Sequence, residues 1–91
     1  MAELSPNARN DVAELPEEEM RLLEALWRKG PAVPMELAVR TLSFPEEIAQ
    51  PLEELEQKGL VEVDSFDGGA IAQKLVFLSK KGARMIESHL Q

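Results

Sequence analysis

The stretch Leu52-Glu53-Glu54-Leu55-Glu56-Gln57-Lys58-Gly59-Leu60-Val61-Glu62-Val63-Asp64 holds a change of period. Up to Lys58 the apolar residues recur three apart, which anchors one face of a helix. Gly59 supplies the left-handed residue that stops such a helix. From Leu60 onward apolar and polar residues alternate, the period of a half-buried strand. Phe66 then precedes Asp67-Gly68-Gly69, a hairpin turn signal. The return strand is predicted over Ile71 to Leu78, with Ile71, Leu75 and Phe77 on one face.

Working back from the junction, the helix extends to residue 45, with Ile48, Leu52 and Leu55 as its stripe. Ser43 and Glu46 have the spacing of a capping box at its start. Pro51 interrupts it, removing a backbone donor and crowding the carbonyl four residues earlier. The unbroken stripe favours one bent helix over two. Before it, Met35, Ala38, Val39 and Leu42 follow the i, i+3, i+4, i+7 rule and predict a helix over 35–42, joined by a tight turn at Ser43-Phe44. A first helix is predicted over 17–29. Pro16 suits its start. Glu17, Glu18 and Glu19 sit at the positive end of its dipole. Met20, Leu23 and Leu26/Trp27 form its stripe, with Leu22 beside it, and Gly30-Pro31 ends it. Beyond the hairpin, Ser79 caps a last helix over 80–90, with Ala83, Ile86 and Leu90 inward. Residues 1–15 show no sustained period and read as a flexible arm. Residues 16–91 form one domain.

Composition narrows the chemistry. The 91 residues are 44% hydrophobic and 30% charged, with no cysteine, no tyrosine and one histidine. Disulfides, thiolate metal sites and cysteine nucleophiles are excluded. His89 has no partner at metal-ligand spacing, so it reads as a surface residue. No apolar run reaches the ~20 residues of a membrane span, and residues 1–15 lack the apolar core expected of a signal peptide. A soluble, cytoplasmic, non-enzymatic module without cofactor or metal is expected. The glutamate pairs 46/47 and 53/54 do not converge on one substrate, because helix neighbours point about 100° apart.

The order of elements resembles the winged helix-turn-helix superfamily, in particular the multiple-antibiotic-resistance and phenolic-acid-regulator type of transcription regulator. The residues that carry the likeness are Glu36-Leu37-Ala38, then Leu52 through Val61, then Leu78-Ser79-Lys80-Lys81-Gly82. The fold class implied is α+β, mainly α: a three-helix helix-turn-helix core, a two-stranded β wing and a C-terminal helix. The resemblance further implies DNA-associated transcriptional regulation by a homodimer, assembled through the arm and the last helix. It places Pro45, Glu46, Glu47, Ala49, Gln50 and Glu54 on the face that reads bases in the major groove.

The charge of that face departs from the pattern. The chain has a net charge of −7. Residues 1–67 carry 16 acids and 6 bases, whereas residues 68–91 carry 4 bases and 1 acid. Residues 44–58 alone hold five acids and one base. A carboxylate beside a phosphate is repelled, and of these residues only Gln50 is a familiar base reader. Lys74, Lys80, Lys81 and Arg84 are the candidate phosphate contacts, giving salt-sensitive binding at most. Two readings stand at this point. One is a DNA-associated regulator using Gln50 and those four cations. The other is a protein-interaction module that has lost base reading, with Glu46, Glu47 and Glu54 as docking residues for a basic partner.

Overall fold

A computed structural model describes residues 15–67 and 72–90 of the chain. The elements run α1 (Glu17–Lys29), α2 (Pro34–Arg40), α3 (Pro45–Gln57), β1 (Val61–Asp67), β2 (Ala72–Leu78) and α4 (Lys80–Leu90). The predicted order holds throughout. The arm lies outside the described residues except for Leu15, which packs against the core. The hairpin tip at Gly68-Gly69 and the predicted strand residue Ile71 also lie outside them.

The core is one cluster that every element feeds. Leu22, Leu23 and Leu26 come from α1, Leu37 and Ala38 from α2, Ile48 and Leu55 from α3, and Ile86 from α4. Leu60 and Val61 enter from the junction and Val76 from β2. The strands pair antiparallel, with Val61 opposite Leu78, Val63 opposite Val76 and Ser65 opposite Lys74. Ala32, between α1 and α2, exchanges two backbone hydrogen bonds with Val76, at 3.0 and 2.8 Å. That bridge ties the ribbon to the helices from the other side.

Leu75 and Phe77 share one face of β2, as predicted, and it is not the fully buried one. Val76 is fully buried, while Leu75 and Phe77 are half-buried on the opposite face. The reason is register. Strand residues alternate, so the pairing of Val76 with Ala32 and Val63 turns its two neighbours outward.

Helix α2 differs more. It ends at Arg40, not 42, and only Leu37 and Ala38 of its residues are buried. Of the predicted stripe, Ala38 alone faces the core; Met35, Val39 and Leu42 are exposed. The helix stops in a Schellman motif. The Ser43 amide donates to Ala38 at 2.8 Å and the Leu42 amide to Val39 at 3.1 Å. The Thr41 hydroxyl adds a bond to Leu37 at 3.0 Å. The left-handed position usually given to glycine is held by Leu42, at φ 57°.

Helix α3 is one continuous helix through Pro51, as the stripe indicated. Its start is not the predicted box. Phe44 is the N-cap, and its amide donates to the Glu47 carboxylate at 2.8 Å. Ser43, one residue too early, exchanges hydrogen bonds with Thr41 instead. Trp27, assigned to the apolar stripe of α1, is 41% exposed, because Leu22, Leu23 and Leu26 already fill the inward face.

At the junction, Gly59 adopts φ 78° and Leu60 donates back to Leu55 at 2.9 Å. The Ser79 hydroxyl accepts from the Gly82 amide at 3.0 Å, capping α4 as predicted, and donates to the Gly59 carbonyl at 2.6 Å. A Cβ on Gly82 would overlap the Leu60 carbonyl. Gly82→Ala should therefore cost about 2 kcal/mol or more in urea unfolding, since the obstacle is backbone that cannot step aside. Leu42→Gly should do the reverse. The left-handed region costs a leucine about 1–2 kcal/mol and the flexibility of glycine offsets roughly half of that. A gain near 0.5 kcal/mol is expected, and an unchanged or lowered midpoint would contradict it.

Candidate functional site

The exposed face of α3 begins with Pro45, Glu46 and Glu47 and continues through Ala49, Gln50, Glu53, Glu56 and Gln57. Glu54 is half-buried. Each lies on this face because Ile48, Leu52 and Leu55 claim the other. The Gln50 amide group donates to the Glu54 carboxylate at 3.4 Å, and Glu47 is held to the Phe44 amide. The face thus presents carboxylates and no free cation among the described residues. Glu18, Glu46, Glu47 and Glu54 line a cleft of about 320 Å³ between the starts of α1 and α3.

The cations named from sequence fall into two places. Lys74, opposite Ser65 on the ribbon, lines a cleft with Glu53 and Glu56 of α3. Lys80, Lys81 and Arg84 lie on the first turns of α4, exposed. The Lys81 ammonium stands 3.5 Å from the Lys58 carbonyl, so this group sits at the C-terminal end of α3. A 13-residue helix is about 20 Å long, which separates it from Glu46 and Glu47 at the other end. Gln50 is brought near neither group by any contact in the structure. Three further cations of the helices are engaged: Arg21 by Glu17, Arg28 by Glu24, and Arg40 by Glu36 and the Gly30 carbonyl.

One polar feature was not anticipated. Glu19, read from sequence as part of the charge cluster at the helix start, is 1% exposed. The Lys58 ammonium donates to it at 2.7 Å. This pair joins the first turn of α1 to the C-cap of α3. Burial raises the Glu19 carboxyl above the usual carboxylate range; the Lys58 ammonium pulls it down, and nearby Glu54 adds to the rise. A run of three glutamates gives no sign of which one turns inward, so sequence alone could not find it.

No family model matches the chain, and no curated protein matches it by sequence. Solved structures do. Bordetella bronchiseptica BpsR, whose DNA binding is regulated by 6-hydroxynicotinic acid, superposes at a TM-score of 0.78 with 19% identity over 86% of this chain and 58% of its own. A MarR family transcriptional regulator from Silicibacter pomeroyi gives 0.73 with 22% identity over 90% of this chain and 54% of its own. S. aureus MepR, solved as a DNA complex, gives 0.76 with 15% identity over 92% of this chain and 68% of its own. The fold is a winged helix. The chain spans just over half the length of the first of these regulators.

In a winged helix, α2 and α3 form the helix-turn-helix and β1–β2 the wing. Here the helix-turn-helix is acidic at the start of α3 and apolar along the outer side of α2. Among the described residues, no helix is long and apolar enough to cross a membrane and no cluster of acids and histidine is placed to hold a metal ion.

The Glu19–Lys58 pair makes stability depend on pH. The raised carboxyl keeps its proton in the folded chain over a range where the unfolded chain has lost it. Folded protein then binds more protons, and stability falls as pH rises through that range, which begins at the ordinary glutamate value. In Glu19→Gln this descending segment should be absent when urea unfolding is followed across pH. Lys58→Met should move it to higher pH and lower neutral-pH stability by about 1–2 kcal/mol, a discounted figure because Lys58 is part-exposed to water.

Proposed function

We propose that this chain is a non-enzymatic, regulator-type winged-helix module whose helix-turn-helix works by protein docking in place of base reading. The observation that carries it is the face of α3: five glutamates, with Glu46 and Glu47 exposed in the first turn, where a groove-reading helix meets the duplex. At that position a carboxylate repels phosphate and needs flanking cations to be tolerated. Lys80, Lys81 and Arg84, on the first turns of α4, lie toward the other end of α3. Glu46, Glu47 and Glu54 then serve as the contacts for a basic partner. A cytoplasmic, homodimeric regulator is the setting that the fold likeness supports.

A second reading keeps DNA as ligand. It is favoured by the likeness to MepR, solved as a DNA complex. In it, Lys74, Lys80, Lys81 and Arg84 would hold phosphates non-specifically and Gln50 would approach a base.

A gel-shift series separates the two. At roughly 50 mM salt, where phosphate attraction is strong, the native chain should leave a duplex unshifted. The variant carrying Glu46→Lys, Glu47→Lys and Glu54→Lys should acquire salt-sensitive binding. A native chain that shifts the duplex, and loses the shift on Lys80→Ala with Lys81→Ala, would establish the second reading instead.

A further inference from the structure

Helix α2 has apolar residues on two sides. Leu37 and Ala38 fill the core, yet Met35 is 62% exposed and Val39 66%. These two are one turn apart on the outer face. The row continues past the helix end with Leu42, 94% exposed, and Phe44, 67% exposed. The Leu42 amide closes onto the Val39 carbonyl and Phe44 follows two residues later, so the four run in sequence along the outer side of α2 and the turn into α3. Single exposed apolar residues need no explanation, but a contiguous strip on a small domain marks a contact surface.

Leu42 strengthens the case. It occupies a left-handed position that glycine or asparagine would fill without strain. The side chain recovers nothing for that strain within the chain, since it is almost wholly in solvent. It stands over a cleft of about 470 Å³ floored by Leu22 and Ile48 and edged by Glu18, Glu47 and the Glu17-paired Arg21.

We infer that the strip Met35–Val39–Leu42–Phe44 docks an amphipathic helix of a partner protein, one with an apolar stripe flanked by lysine or arginine. This inference rests on the docking reading of the preceding subsection and names the partner's chemistry. Charge decides the occupant. Glu46 and Glu47 border the strip, exposed; the arginines beside Leu42, namely Arg21, Arg28 and Arg40, are each paired with a glutamate of their own helix, Glu17, Glu24 and Glu36. A second copy meeting this surface across a two-fold axis would set those carboxylates against themselves. The chain's own residues 1–14 carry Glu3, Asp11 and Glu14 against Arg9 alone, so they do not complement it either. Nucleic acid and anionic lipid share the wrong sign. An apolar stripe with basic flanks fits both the strip and its border, in the helix-on-surface mode read through i, i+3, i+4 and i+7 anchors.

The test uses the full chain and a synthetic helical peptide of leucine and lysine with leucines at those spacings, beside a counterpart with glutamate for lysine. Calorimetry should show the lysine peptide binding and the glutamate peptide not, with affinity falling as salt rises from about 50 to 300 mM. Amide shifts should centre on residues 35–47. Leu42→Gly, which folds at least as well as the native chain, should weaken binding by about tenfold or more, the loss expected for one buried leucine. Phe44→Ser should weaken it independently. Equal binding of both peptides, shifts centred elsewhere, or full affinity in Leu42→Gly would overturn the inference. So would self-association of the native chain that Leu42→Gly abolishes, which would assign the strip to a second copy. Duplex binding by the native chain refutes the docking reading as a whole. A duplex left unshifted, together with an indifferent peptide, removes only the helical partner.

Discussion

Three segments meet at the carbonyl of Leu60. It accepts the Ser79 amide at 3.1 Å, and the backbone of Gly82 presses against it with no room for a side chain. One residue earlier, Gly59 turns the chain left-handed so that Leu60 can reach back to Leu55. The end of α3, the entry to β1 and the start of α4 are thereby locked within a few ångströms. Leu60 and Val61 enter the core from this knot, and Ile86 closes over them one turn beyond Gly82. The orientation of α3 relative to the ribbon, and so the surface it offers, depends on this contact. Buried backbone polar groups must find partners, and here each partner comes from a different element.

The Glu19–Lys58 pair reinforces the same end of α3 from the α1 side. Its arrangement is costly, because a nearly inaccessible carboxylate is held by a half-exposed ammonium. The opposite end of α3 has no such anchoring. It is reached through the strained Leu42 and the Phe44 cap, and its side chains point to solvent. One end of the helix is pinned by these contacts and the other presents its side chains to solvent. The chemistry of the exposed end is apolar and acidic, a combination whose charge opposes a polyanion.

Much of the architecture was legible because its signals are local. Gly59 after Lys58, the change from helical to alternating period, and Ser79 three residues before Gly82 each follow from backbone rules within a few residues. The register of β2 was not legible. Leu75, Val76 and Phe77 are all apolar, so the period of two has no polar residue to set its phase, and the distant bridge from Ala32 to Val76 sets it. The same ambiguity misled the reading of α2. Met35, Val39 and Leu42 have core spacing, but so do Leu37 and Ala38 with the residues around them. Only the positions of α1 and α3 decide which side is inside.

By itself the sequence determined the order of elements, the stops at Gly30 and Gly59, and the sign of the charge along α3. Those depend on dihedral freedom, capping geometry and composition, all short-range properties. Tertiary structure alone decided that Glu19 is the buried glutamate, that Lys80, Lys81 and Arg84 gather away from Glu46 and Glu47, and that the outer row of α2 is left in water. Each of these is a question of which surface faces which neighbour, and a linear pattern carries no record of the third dimension that answers it.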